Sequence, residues 1–104
     1  MVISKILYNQ SATANNAILD TGFSSGYLMT DISIVYLWIT PQNAGVLTLI
    51  RTKDEVEYEE KLNSGCTLEA NCAYMFPIMI SEDTLNIKYS VDTTMTYIQF
   101  REMF

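Results

Sequence analysis

The sequence alternates apolar and polar residues with a period of two along most of its length. The alternation is clearest where Leu85, Ile87 and Tyr89 are interleaved with Asn86 and Lys88. Turn residues interrupt it at intervals of about eight to twelve residues, and no segment has a sustained helical period. This pattern favours antiparallel strands over every helical architecture.

We predict strands at residues 2–8, 17–21, 27–40, 46–52, 55–59, 66–69, 72–80, 84–91 and 95–104. They predict an all-β fold: a single antiparallel β-sandwich of about eight or nine strands, jelly-roll-like, formed by residues 1–104 as one domain. The first 16 residues form either a strand and a surface loop on their own sandwich, or an arm that reaches a neighbour. The loop 41–45 is expected to make a hairpin, and residues 92–93 a tight turn.

The longest predicted strand is apolar at nearly every position from residue 32 to residue 39. A strand with this composition has both faces covered, one by the core and the other by another part of the assembly, such as a second subunit. Pro77 in a later strand belongs on a sheet edge or at a bulge, because proline cannot donate a ladder hydrogen bond.

An acidic segment follows the fourth predicted strand. Glu55, Glu57 and Glu59 alternate with Val56 and Tyr58, which predicts a half-exposed strand, and a helical turn is the alternative because residues 57 and 61 form a Glu–Lys pair. Clustered carboxylates suit a hard cation, but a calcium loop needs a glycine for its sharp turn, and residues 54–62 contain none. We interpret the segment as a solvated strand face.

Charge and composition exclude several classes of function. Twelve Asp and Glu against six Lys and Arg give a net charge of −6, the wrong sign for binding nucleic acid. The chain has no His, and its two Cys cannot supply the four N or S ligands of a zinc site. We therefore expect no metal and no cofactor.

Catalysis is also not expected. A Ser, Thr or Cys nucleophile would lack an imidazole base. Glycoside hydrolysis needs two facing carboxylates, and Glu69, Glu82 and Asp83 lie near predicted strand ends, but nothing selects one pair among twelve acids. The sequence predicts a protein that is not an enzyme.

No segment indicates a membrane. The longest apolar stretch, residues 32–39, is far shorter than the roughly 20 residues that a spanning helix needs, and the N-terminus lacks a secretory signal pattern. We expect a soluble product made in a cytoplasm. Cys66 and Cys72 are then expected to be reduced and largely buried.

Aromatic residues provide the candidate interaction site. Seven Tyr, four Phe and one Trp exceed what one core layer of a small sandwich absorbs, and Tyr and Trp are enriched at interfaces. The candidate interface residues are Tyr36, Trp38, Ile39, Tyr97 and Phe104. Core packing of Trp38 and a carbohydrate-binding platform are the alternatives.

The order of segments resembles small jelly-roll virion proteins of tailed bacteriophages. The similarity covers residues 5–10 and 17–22, the strands 31–39 and 46–52, the Gly-Cys-Thr-Leu turn and strand at 64–69, the strand, acidic turn and strand at 76–88, and the last strand at 95–104. The chain departs from that pattern at Glu82 and Asp83, where the usual glycine is absent, and in its pair of cysteines.

The resemblance implies a non-enzymatic structural component of a tailed-phage virion, most directly a capsid decoration or head-fibre protein, with a neck or tail component as the alternative. It implies a protein made in the host bacterial cytoplasm and located in the virion. The expected partners are further copies of the chain and the capsid, neck or tail proteins, with no nucleic acid and no membrane.

Overall fold

The computed structural model describes residues 4–24, 32–81 and 84–102. Eight strands occupy most of these residues: β1 (Ser4–Ala12), β2 (Leu19–Ser24), β3 (Ile32–Pro41), β4 (Leu47–Lys53), β5 (Val56–Lys61), β6 (Tyr74–Ser81), β7 (Thr84–Tyr89) and β8 (Thr93–Glu102). One short 3-10 turn, Asn63–Gly65, connects β5 to β6. Across these described ranges, no helix is long and apolar enough to span a bilayer.

The strands form two four-stranded antiparallel sheets. Sheet A has the order β1-β8-β3-β6, and sheet B has the order β2-β7-β4-β5. The first strand therefore pairs with the last, the second with the seventh, the third with the sixth, and the fourth with the fifth. One long antiparallel ribbon folded over on itself produces this pairing, which is a jelly roll. The predicted all-β sandwich is confirmed.

The core lies between the two sheets and is built from the alternating strands. Leu85, Ile87 and Tyr89 of β7 are buried, whereas Asn86 and Lys88 between them are half-buried on the other side of sheet B. In β8, Ile98 and Phe100 lie on one face of the strand and are fully buried. The ring of Phe100 stacks on that of Phe23 from β2, with 4.6 Å between the ring centroids and 11° between the ring planes.

One predicted hairpin and one predicted tight turn are wrong. β3 and β4 lie in different sheets, so residues 42–46 cross from sheet A to sheet B instead of closing a hairpin. β7 and β8 are likewise in different sheets, and the expected tight turn at residues 92–93 is absent, because Thr93 already pairs with Ala12 as the first residue of β8. Local turn residues mark where a strand ends, but they do not specify which sheet receives the next strand.

Three shorter predictions also need correction. β1 continues to Ala12, into the segment expected to be a loop, because Gln10 and Ser11 pair with β8. Gly22, expected to end the second strand, lies inside β2 at a bulge with φ of +67°. Residues 66–69 are not a strand, and only Leu68 forms a single bridge, to Gly45.

The acidic segment is a strand, and the helical alternative is wrong. β5 forms a two-residue hairpin with β4, whose turn residues Asp54 and Glu55 both have positive φ, as a type I′ turn requires. Every residue of β5 is exposed, so the half-exposed prediction is wrong as well. β5 is an edge strand of sheet B, and acidic side chains there discourage pairing with other sheets. Pro77 lies on β6, an edge of sheet A, as predicted.

Candidate functional site

The surface of sheet A that points away from the core is the most distinctive surface of the described chain. We call it the outer face of sheet A. Strand alternation and register place the following side chains on it: Ile6 and Tyr8 of β1; Tyr97, Gln99 and Arg101 of β8; Ile34, Tyr36 and Trp38 of β3; and Met75, Pro77 and Met79 of β6. Among the described residues, six of the nine exposed large hydrophobic side chains belong to this face.

β3 shows how the sequence builds this surface. Its inward residues Val35, Leu37 and Ile39 have no solvent exposure, whereas the outward residues Ile34 and Trp38 are 45% and 39% exposed. The apolar composition of the strand therefore extends over both of its faces. In the part of the chain that the structure describes, only the inner face is covered, so the expected cover on the outer face stays a prediction.

Neighbouring strands extend the apolar surface to both sides of β3. Trp38 is aligned with Met75 on β6 and with Gln99 on β8, and Ile34 is aligned with Met79. Cross-strand partners on one face have Cβ atoms about 5 Å apart, so these side chains form a continuous layer.

Two tyrosines complete the face on the β1 side. The rings of Tyr8 and Tyr97 meet edge to face, with centroids 5.8 Å apart. The Tyr97 hydroxyl donates a hydrogen bond to Oε1 of Gln99 at 2.7 Å. This contact holds the Tyr97 ring in place beside its cross-strand neighbour.

Charge is nearly absent from this face. Among the described residues, Arg101 is its only charged side chain, and it is aligned with Tyr36 near the end of β8. Glu102, the next residue, points inward and is fully buried. The other described carboxylates lie on β2, on β5 and its turn, and in loops, namely Asp20, Asp54, Glu55, Glu57, Glu59, Glu60, Glu69 and Asp92.

The structure places the predicted interface residues in three different environments. Tyr36, Trp38 and Tyr97 lie together on the outer face of sheet A. Ile39 is fully buried in the core, so its assignment to an interface is wrong. Its neighbour Trp38 takes the outward position, and an all-apolar strand gives no pattern that distinguishes the two. Phe104 lies outside the described residues.

Sequence reasoning missed most of this face, since only Tyr36, Trp38 and Tyr97 were predicted as interface residues. Ile6, Tyr8, Met75 and Met79 were assigned to strands but not to a surface. Alternation alone places Met75 and Met79 on the side of the strand opposite Ile78. It does not show which of the two sides faces the core, because that depends on the pairing of β6 with β3.

The outer face of sheet B is polar in comparison. It carries a groove with a volume of about 830 Å³, lined by Ala14, Asn16, Val46, Thr48, Glu59, Lys61, Lys88, Tyr89 and Ser90. Within the lining of this groove, Nζ of Lys88 lies 2.6 Å from Oε1 of Glu59. Tyr89 donates a hydrogen bond to the Asn43 carbonyl oxygen at 2.7 Å. Burial is the main cause that raises the pKa of the Tyr89 phenol above the usual 10, and the nearby Tyr74 is the second cause.

The remaining candidate groups are the two cysteines and the acids near predicted strand ends. In the described ranges, no three Cys, Asp or Glu side chains come together in a way that could hold a metal ion. Cys66 and Cys72 are both free thiols and both exposed, so their predicted burial is wrong. Glu69 is an exposed loop residue, and Glu82 and Asp83 lie outside the described residues.

No family model, no curated protein and no solved structure matches this chain significantly. Function is therefore inferred from the fold, the outer face of sheet A and the order of segments in the sequence.

Proposed function

We propose that this chain is a non-enzymatic structural component of a tailed-phage virion, most directly a capsid decoration or head-fibre protein. The observation that carries the proposal is the outer face of sheet A, a continuous apolar surface on an otherwise acidic jelly roll. A surface of this kind marks a place where another protein binds, because isolated soluble domains rarely leave a large contiguous apolar patch in water.

The size of the face supports an interface. Four strands about 4.8 Å apart and seven residues rising about 3.3 Å each give a plane of roughly 19 by 23 Å, or about 440 Å² in projection. Side chains that stand out from this plane add accessible area to it. A patch of this size already reaches the range of the largest patches on typical monomers, which are often functional at about 300–600 Å².

The two faces of the sandwich suit a protein laid on a larger assembly. Sheet A offers an apolar layer for contact with another copy or another virion protein, and sheet B presents polar and charged side chains such as Glu57, Glu59 and Lys88. The virion setting comes from the resemblance of the strand and turn order to phage jelly-roll proteins. A position in the neck or tail, instead of the head, would use the same surfaces.

Immunogold labelling tests the proposal. Antibody raised against the recombinant domain is applied to phage particles, both intact and mildly disrupted. The particles come from a lysate of the phage whose genome encodes this chain. We expect gold on heads, or on necks and tails under the alternative position, and none after the antibody is preabsorbed with the domain. Particles that stay unlabelled in both preparations, while a blot detects the chain elsewhere in the lysate, would refute the virion assignment.

A carbohydrate-binding function is the second candidate, and one observation favours it. Trp38 is 39% exposed and Tyr8 is 61% exposed on the same sheet face, and exposed aromatic rings on a sheet can stack against sugars. A glycan array distinguishes the candidates. Glycan hits that disappear in a folded Trp38→Ala variant would support the sugar platform, and an array without hits removes its basis.

A further inference from the structure

We propose that the outer face of sheet A is covered by the same face of a second copy of this chain, in a two-fold dimer with the two A sheets packed against each other. This inference rests on the assembly function proposed above and names the partner of its surface. In a two-fold contact the same patch on both copies must be complementary to itself. An apolar layer meets that condition, because apolar surface is complementary to itself, and the one described charge on this face, Arg101, lies near the end of β8.

Charge determines which faces can meet. Each copy carries a net charge of −6, so any contact that brings the acidic surfaces together is opposed. Contact through sheet B would place Glu57 and Glu59 of β5 close to their counterparts. Contact through sheet A involves no carboxylate of the described residues, among which Arg101 is the only charged side chain on that face.

The layer order of the proposed dimer also keeps the acids apart. With sheets stacked about 10 Å apart, the sequence of layers B-A-A-B separates the two outer B faces by about 30 Å. Electrostatic interactions between exposed charges are largely screened beyond about 8–10 Å at physiological salt. The repulsion that net charge imposes on self-association is therefore weakest in this arrangement.

The area agrees with what a specific dimer requires. Doubling the projected face gives roughly 900 Å² over two copies, and outward side chains raise the accessible area above that. A specific interface is expected to bury about 1,000 Å² or more in total. Exposed Met75, aligned with Trp38, and exposed Met79, aligned with Ile34, fit such a contact, because Met and Trp are enriched in interface cores and methionine adapts its shape to a partner.

Trp38 provides a direct probe, since it is the only tryptophan in the chain and lies on this face. Sedimentation velocity and acrylamide quenching are measured on the wild-type chain from 1 to 200 µM, a range of about two orders of magnitude in which weak dimers dissociate. We expect the sedimentation coefficient to rise with concentration while the quenching constant falls at least twofold over the same range. A monomer with equally quenchable Trp38 throughout would overturn the proposal.

Matched charge variants locate the contact. Ile34→Glu and Met79→Glu place a carboxylate on the proposed interface, and Val56→Glu places the same group on the edge of sheet B, where Val56 is 49% exposed compared with 45% for Ile34. We expect the first two to raise the dimer Kd at least tenfold and Val56→Glu to change it less than twofold. Far-UV circular dichroism and thermal melts at 1 µM test whether each variant is folded. If Ile34→Glu does not fold, Met79→Glu on the edge strand β6 tests the interface by itself.

The outcomes separate this inference from the proposed function. The dimer proposal is overturned if Val56→Glu raises the dimer Kd as much as the sheet A variants do. It is also overturned if the chain binds glycans instead of a second copy. If the chain is monomeric but its antibody labels phage particles, the dimer is refuted and the virion assignment stands. A dimer disrupted by Ile34→Glu, together with unlabelled particles, would support the dimer and refute the virion assignment.

Discussion

The stacked pair Phe23 and Phe100 offers a direct test of how the sandwich closes. Phe23 belongs to β2 of sheet B and Phe100 to β8 of sheet A, and both are almost completely buried. Their contact therefore joins the two sheets. The perturbation is a double-mutant cycle of Phe23→Leu and Phe100→Leu, because leucine keeps the site apolar and removes the stack.

The expected magnitudes follow from the geometry. Complete truncation of a buried Phe costs about 3–5 kcal/mol, so we expect about half of that, roughly 1.5–2.5 kcal/mol, for each replacement by Leu. A stacked pair with centroids 4.6 Å apart lies within the favourable range and contributes about 0.5–1.5 kcal/mol beyond burial. The double variant should therefore lose about 0.5–1.5 kcal/mol less than the sum of the two single losses.

Urea unfolding followed by Trp38 fluorescence measures these free energies of unfolding. The protein is held at a concentration where sedimentation shows one species, and the m-values of the four proteins must agree. The pair Phe100→Leu and Val56→Ala is the control, because Val56 lies on the exposed edge strand β5 and the two losses should add. A Phe23–Phe100 coupling within error of zero would show that β2 does not pack over β8 as described.

Three further predictions concern the backbone and pH. Gly45→Ala should lower the unfolding free energy in urea by about 1–3 kcal/mol, because the added Cβ would lie 2.7 Å from Cε2 of the Tyr89 ring; an unchanged midpoint would contradict this packing. Glu55→Gly should raise it by about 0.5–1 kcal/mol, because φ of +66° in the β4–β5 turn strains a residue with a side chain; a loss would contradict the turn geometry. The raised pKa of Tyr89 makes its contribution to stability complete below pH 10, and that contribution is lost as the pH rises through the folded-state pKa. Tyr89→Phe should therefore lower the Tm at pH 7, because the hydrogen bond to Asn43 is lost. Above pH 10 the Tm of the variant should fall less steeply with pH than the Tm of the wild type. Equally steep falls in both proteins would contradict the raised pKa of Tyr89.

The fold class and much of the burial pattern could be predicted from local sequence. Leu85, Ile87 and Tyr89 are buried as their spacing predicts, and Pro77 lies on an edge strand for lack of an amide hydrogen. Such predictions succeed because a strand turns successive side chains to opposite faces, a property of each residue and its immediate neighbours.

The candidate site was only partly predictable. Apolar residues on both faces of β3 indicated a covered outer surface, but the same uniform composition hid which residues formed it, so Ile39 was assigned to the interface beside Trp38. Met79 was not assigned at all. Separating outward from inward residues needs the register of β3 with β6 and β8, and a shift by one residue reverses every side chain.

By itself, then, the sequence determined that the chain forms alternating strands, where most of them end, and that it carries more apolar surface than one core uses. Only the tertiary structure decided that β3 pairs with β6 and β8 instead of β4, and that Ile6, Trp38 and Met79 share one outer face. The physical reason is range. Alternation and turn residues act between neighbours in the chain, whereas strand pairing in a folded ribbon depends on hydrogen bonds and packing between segments far apart in sequence.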